Sequence, residues 1–293
     1  MNAIDKFIGL ISPRAGARRA RARVVMESLE KLRRYDAAGF GRRVDDWKTT
    51  NASANTENHK SLDRLRARSR DLDRNNPYAR RAVERIADNV VGTGIRPTPN
   101  KDLKKLKEAW AAWAESTECD FDGLLNFYGI QRLIAKTVAL SGEAIIRKRR
   151  TKDNKSKIPY CLQVFEPDII DSSKNYALLD SGDFKGGFVI QGVQFDDQGK
   201  RVGYWLWDKY PTESIYVTNN LLSKFVPIDQ VIHVFNLERP GQARGVPFGV
   251  SAFLRLKDFD DFEDAELVRQ KIAACFSVFV TTSPSAINLL AKL

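Results

Sequence analysis

The chain has 293 residues, 43% hydrophobic and 10% aromatic, with a formal net charge of +11. That is enough apolar material for a sizeable core in one large or two smaller domains. No apolar run approaches the ~18 residues that cross a bilayer. The first ten residues hold only a weak apolar patch without a cleavage site, so no signal peptide is expected. Cys119, Cys161 and Cys275 stand far apart and form no paired motif, which reads as reduced thiols in a cytosolic setting.

The positive charge is unevenly placed. Residues 1–91 carry 21 Lys/Arg against 12 Asp/Glu, and the remainder is close to neutral. This argues against one basic groove running through the whole protein. Residues 13–23, Pro-Arg-Ala-Gly-Ala-Arg-Arg-Ala-Arg-Ala-Arg, form a basic arm of low complexity. Arg18, Arg19, Arg21 and Arg23 can neutralise phosphates without reading sequence, or can be a solvated tail. From Gly39 to Lys60 the chain is polar and poor in apolar residues, and is expected to be a linker or an arm that orders only on assembly.

Order is expected from about Ser61. Leu62, Leu65 and Leu72 suggest a short helix. Asn76-Pro77 is a strong helix start, with Asn as N-cap and Pro at the first helical position. Ala79, Val83, Ile86 and Val90 then form one apolar face, closed by Gly92 and Gly94. Gly92-Thr93-Gly94 ends a helix instead of opening one, so it is not a dinucleotide loop. Leu103, Leu106, Trp110 and Trp113 mark an amphipathic helix whose tryptophans are core. A third helix is expected over Leu124 to Leu140, after a turn at Cys119–Gly123.

Beyond Gly142 the period changes to that of strands. Glu143–Lys148, Tyr160–Phe165, Phe188–Phe195, Val202–Trp207 and Gln230–Phe235 are rich in β-branched and aromatic residues. Asp196-Asp197-Gln198-Gly199 reads as a hairpin loop. Strands clustered after helices indicate an α+β fold with an antiparallel-rich sheet region.

From Glu238 to Val280 a Gly/Pro-punctuated loop leads into some thirty residues without Gly or Pro. Val250–Val280 is expected to be a long helix with Ser251 as N-cap. Phe253, Leu256, Phe259, Phe262, Ala265 and Val268 recur every three residues. At ~3.6 residues per turn such a row winds around the helix instead of forming a stripe. Asp258, Asp260, Asp261, Glu263, Asp264 and Glu266 fill the gaps. The pattern fits either a long buried helix or a helix touched by neighbours on several sides.

Signals for catalysis are weak. There is no G-x-x-x-x-G-K-[ST], which excludes a P-loop motor. His59 lies in the expected linker and His233 inside an apolar strand, where it reads as a hydrogen-bonded core or edge residue. Neither has partners at zinc-ligand spacing. Glu166, Asp168 and Asp171 can be drawn together as a two-metal nuclease cluster, or read as an ordinary turn after a strand. No cofactor is implied, and the chain is not expected to be an enzyme.

Several segments, in order, resemble the lambda-like portal proteins of tailed bacteriophages. They are Asp71–Ala82, Val91-Gly92-Thr93-Gly94-Ile95, Trp110 to Trp113 with Cys119-Asp120, Leu140–Ala144, and Leu162–Glu166. The hairpin from Gly192 to Leu206 follows. Then Ile232-His233-Val234-Phe235 runs into Arg239-Pro240-Gly241-Gln242 and Arg244-Gly245-Val246-Pro247, with Asp261–Leu267 last. The resemblance implies a subunit of a usually dodecameric ring at one capsid vertex, through which double-stranded DNA is packaged and ejected. It implies terminase, scaffold or major capsid protein, and head-completion proteins as partners. Its location would be the virion, and the bacterial cytoplasm during assembly, with no membrane.

On that resemblance residues 1–60 are a flexible basic arm and linker, 61–248 a wing domain, 249–280 a stem helix, and 281–293 the start of a clip region. Family members continue further, so an incomplete, C-terminally truncated portal fold is expected. Asp258, Asp261 and Asp264 would line the DNA channel, and residues 250–266, with two basic against six acidic side chains, would repel DNA instead of gripping it. The two rival readings are a metal-dependent nuclease using Glu166, Asp168 and Asp171, and a basic DNA-binding module using residues 14–23.

Overall fold

The computed structural model describes residues 12–32, 46, 49–98, 103–150, 158–176, 186–211, 213 and 221–276. The chain falls into two compact units, Met1–Ala52 and Ser53–Leu293. In the first, Pro13–Leu32 is a helix, α1. The span of the expected arm thus contains a helix, because Ala, Arg, Leu, Glu and Met are strong helix formers and Pro13 opens the first turn. Arg18, Arg19, Arg21 and Arg23 are exposed along it. Residues 33–45, which include the start of the expected linker, lie outside the described residues, as does the expected clip region 281–293.

In the second unit the helices are α2 (Ala54–His59), α3 (Leu62–Asn75), α4 (Pro77–Val91), α5 (Lys104–Glu115), α6 (Phe127–Ser141) and α7 (Phe253–Cys275). Order begins at Ser53, not Ser61. Ser53 caps α2 by accepting from the Thr56 amide. Asn55 anchors the helix by donating to the Gly241 carbonyl and accepting from the Ala243 amide, both near 3 Å. Polar composition suggested a linker; these polar groups instead bind loop backbone 186 and 188 residues away in sequence. Asn76 caps α4 as expected, accepting from the Ala79 amide at 2.8 Å. The buried face of α4 holds Ala79, Ala87 and Val91, and Val90 is exposed, one residue out of the expected register.

The strands are β1 (Glu143–Arg149), β2 (Cys161–Phe165), β3 (Phe188–Ile190), β4 (Val193–Phe195), β5 (Arg201–Trp207), β6 (Ser223–Pro227) and β7 (Val231–Phe235). They make two antiparallel sheets, ordered β2-β1-β7 and β3-β4-β5-β6. The expected strand Phe188–Phe195 is a hairpin instead. It turns at Gln191-Gly192, with Gln191 at φ 48° and Gly192 at φ 79°. Gln191 tolerates that conformation because its side chain donates to the Asn55 carbonyl and its own carbonyl accepts from Arg244. The turn at Asp196–Gly199 joins β4 to β5 as expected, its Asp196 carboxylate accepting from the Gln198 and Lys200 amides.

Alternation along β1 places its two faces in two cores. Ile145 meets Ile170, Val193, Tyr204, Leu206 and Val226 between the sheets. Ala144 and Ile146 meet Trp113, Ile130, Val138 and Leu162 beneath the helices. The result is helices on one sheet and that sheet on another, an α+β architecture. Cys119 and Cys161 are buried and Cys275 is exposed, with no disulfide joining them. Among the described residues no helix is long and apolar enough to cross a membrane.

Candidate functional site: an exposed helix set on a buried ion cluster

Helix α7 is preceded by a 3-10 turn at Val250–Ala252, and Ala252, not Ser251, stands at its N-cap. Residues 277–280 of the expected helix lie outside the described residues. Its first turns dock on the body. Phe253 and Leu256 pack with Leu72 and Ala79 at the corner between α3 and α4. Asn76, only 1% exposed, donates from Nδ2 to Asp260 Oδ1 at 2.8 Å while its Oδ1 caps α4. Tyr78 donates to Glu263 Oε1 at 3.0 Å and meets the Phe259 ring edge-on at 5.5 Å. On its other faces and further along, the helix is exposed. Phe262, Leu267, Val268 and Ile272 are each more than half exposed.

The three-residue apolar spacing explains this. Each step of three turns the row by about 60° around the axis. Phe253 and Leu256 therefore face the body, and later members face successively other directions. Asp258, Asp261 and Asp264 are all exposed. They follow the same winding and do not form one stripe, and Asp261 also accepts from Lys257 at 2.7 Å.

The segment leading into α7 is fixed by a buried cluster that sequence reasoning missed. Glu143, fully buried, accepts on Oε1 from Arg66 at 2.6 Å and from Arg244 at 2.6 and 2.7 Å. Its Oε2 accepts from the Gly245 amide at 2.6 Å and pairs with His233 Nε2 at 2.9 Å. The guanidinium groups are completed by carbonyls: Ser141 for Arg66, and Gln191 and Pro167 for Arg244. Burial alone would push the Glu143 carboxyl up, but Arg244, Arg66 and His233 hold it well below the usual carboxylate range. Burial lowers the His233 imidazole, against the pull of Glu143. A neutral ring then donates from Nε2 to Glu143 and accepts on Nδ1 from Arg201 at 3.2 Å. His233 is thus a hydrogen-bonded core residue, as its sequence context suggests.

Two glycines make the cluster possible. A Cβ on Gly245 would stand 2.2 Å from the Gly142 carbonyl oxygen, and one on Gly142 (φ +89°) would stand 2.4 Å from Val246 backbone. Backbone meets backbone here, which brings the Gly245 amide onto the carboxylate. The sequence shows only the two halves, Gly142-Glu143 at the change from helix to strand and Arg244-Gly245 in a loop crowded with Gly and Pro, without a sign that they meet.

The three carboxylates of the nuclease reading each have protein donors. Asp171 is buried and accepts from the Ser173 amide and hydroxyl and from the Ser223 hydroxyl. Glu166 and Asp168 both pair with Arg70. The three carboxylates are thus committed to protein donors, and among the described residues no group of three or more His, Cys, Asp or Glu is placed to hold a metal.

Residues 40–289 match the model of the lambda family of phage portal proteins. The chain belongs to that family. It is 25% identical over 232 residues to "Probable portal protein" of Halomonas phage phiHAP-1, covering 75% of this chain and 43% of the relative. It is 24% identical over 278 residues to "Portal protein B" of Escherichia phage lambda, covering 87% and 50% respectively. This portal-family chain thus spans about half the length of the curated relatives it matches. Among solved structures it is similar to the neck of an empty gene transfer agent particle, with TM-score 0.42 and 14% identity over 88% of this chain and 58% of the other. It is also similar to the neck of a native gene transfer agent particle computed with twelvefold symmetry, with TM-score 0.40 and 13% identity over 80% and 53%.

Proposed function

We propose that the chain is a subunit of a portal ring at one capsid vertex, through which double-stranded DNA is packaged and ejected. The observation that carries this reading is α7. It is held to its own body at one end and displays Phe262, Leu267, Val268 and Ile272 to solvent in several directions. Large exposed apolar surfaces on a folded protein mark contacts with another molecule. In a closed ring each subunit meets two neighbours through different faces, and a winding apolar row suits that arrangement. Family membership supports the same reading.

On this reading residues 61–248 serve as wing and α7 as stem, with Asp258, Asp261 and Asp264 at the channel wall. Carboxylates there keep a sliding duplex from adhering, because each neutralised phosphate would add affinity through counterion release. Terminase, capsid or scaffold protein and head-completion proteins are the partners that follow, in the virion and in the bacterial cytoplasm during assembly. The role is mechanical, not catalytic. Electron microscopy and sedimentation velocity of the purified chain test it. The expected result is self-association that Phe262→Asp with Val268→Asp abolishes while the body stays folded. Monomers at every concentration up to the solubility limit, with α7 still helical, would overturn the assembly role of this helix.

A further inference from the structure

The end of β1 carries four consecutive cations, Arg147-Lys148-Arg149-Arg150. Alternation puts Arg147 and Arg149 on one face of the strand and Lys148 on the other. With Tyr160 beside β2, and Asp229 and Gln230 from the turn before β7, they line an open groove of about 590 Å³. Among the described residues a single carboxylate in that lining faces four cations. Elsewhere in the same unit, Arg66, Arg70 and Arg244 each find a carboxylate. Arg147 does not follow them. Its Nε is sealed from solvent with no hydrogen-bond partner. Burial and the adjacent charge of Arg149 push this guanidinium below its ordinary value, and Asp208 offsets only part of that. Arg149 is held without being neutralised: it donates to Gln163 Oε1 at 3.0 Å and lies over the Phe121 ring at 5.5 Å. The sealed Nε itself is out of a ligand's reach; what the groove presents outward is the half-buried Arg147, Lys148 and Arg149 and the exposed Arg150.

We infer that the groove at the end of β1 binds the phosphate backbone of double-stranded DNA, with Arg147, Lys148, Arg149 and Arg150 as its contacts. Three of the four are arginines, whose planar fork matches phosphate oxygens in pairs. Duplex DNA presents one negative charge per ~1.7 Å of axis, dense enough to engage several cations gathered at one strand end. Among the described residues the groove is lined by strand and turn residues, so the binding is independent of sequence. The site is distinct from the arginines of α1 and from the carboxylates of α7. It requires neither a ring nor a channel, so a chain that stays monomeric tests it equally.

The test uses the full chain and a fluorescein-labelled duplex of mixed sequence, followed by fluorescence anisotropy across a salt series. Lys148→Gln with Arg150→Gln should reduce the log–log salt slope by about 2, and adding Arg147→Gln and Arg149→Gln by about 3–4, at roughly 0.9 per phosphate contact. Replacing Arg147, Arg149 and Arg150 by Lys should retain most of the slope. Changing Arg18, Arg19, Arg21 and Arg23 to Gln should leave the contribution of the β1 groove in place. An unchanged slope in the Lys148/Arg150 variant, with an intact circular dichroism spectrum, would overturn the inference. So would displacement of bound duplex by polyglutamate at lower charge concentration than by unlabelled DNA, which would assign the groove to an acidic protein segment.

Discussion

Replacing Glu143 by Gln keeps the shape of the side chain and removes the one negative charge that four donor groups share. Arg66 and Arg244 are 2% and 1% exposed, so neither can turn to water for compensation. The new amide NH₂ would also point a donor at either the Gly245 amide or the guanidinium groups. Removing one partner of a buried ion pair costs about 3–5 kcal/mol, a large part of the ~5–15 kcal/mol that stabilises a typical domain. At about 2–4 °C per kcal/mol for a domain of this size, the midpoint should fall by about 6–20 °C. Urea unfolding followed by far-UV circular dichroism is the assay, and the midpoint should drop with the slope unchanged. Arg70→Gln is the comparison. Arg70 pairs with Asp168 and with a half-exposed Glu166, so the change should stay within about 1 kcal/mol. Equal and small effects of the two substitutions would refute the reasoning that the Glu143 cluster fixes the loop before α7.

The remaining expectations concern pH, the close glycines, the exposed carboxylates and the cap. Burial holds His233 below its ordinary 6.5, so the unfolded chain takes up the proton first as pH falls. Stability should be complete above about pH 6.5 and decline below it, more shallowly in His233→Gln, with the depressed Glu143 adding a further loss below about pH 4.3; melting temperatures across pH 4–8 check this. Gly245→Ala should destabilise by about 3 kcal/mol, the upper end of overpacking, and Gly199→Ala, in an open turn with no atom near the added methyl, by about 1 kcal/mol; urea midpoints of the two compare them. Asp258→Asn, Asp261→Asn and Asp264→Asn together should change stability by less than about 0.5 kcal/mol yet raise DNA retention at low salt, an effect that should shrink as the screening length falls to ~8 Å at physiological ionic strength. Asn76→Ala should cost about 1–2 kcal/mol through the lost α4 cap, and hydrogen exchange should show the first turns of α7 opening faster.

The helices and most strands were legible because their signals are local. Asn76-Pro77, the Trp110–Trp113 face and the period change at Gly142 each act within a few residues, and all appear near the expected places. The Gln191-Gly192 turn was not legible, because Gln is a poor choice for positive φ and is held there by Asn55 and Arg244, far away in sequence. Helix α2 was read as linker for the same reason: Asn55 is polar because it binds loop backbone, not water. The winding row on α7 was visible in the spacing alone. The Glu143 cluster was not, because charged residues 77 to 101 positions apart give no periodic sign of meeting. The basic run at the end of β1 was in plain view, but only the fold reveals the groove and the sealed Nε of Arg147.

The row on α7 has the symmetry of a screw thread. Moving along it by three residues advances about 4.5 Å and rotates about 60°, and returns a surface of the same kind. A neighbour packed against such a thread can shift by one step and still find apolar side chains in its path. Contacts of that sort set no unique height between adjacent copies. Within one copy the docked end ties the helix to its own body, where Asn76 holds Asp260 and Tyr78 holds Glu263. The helix is therefore indexed at its root and free to be threaded along its length.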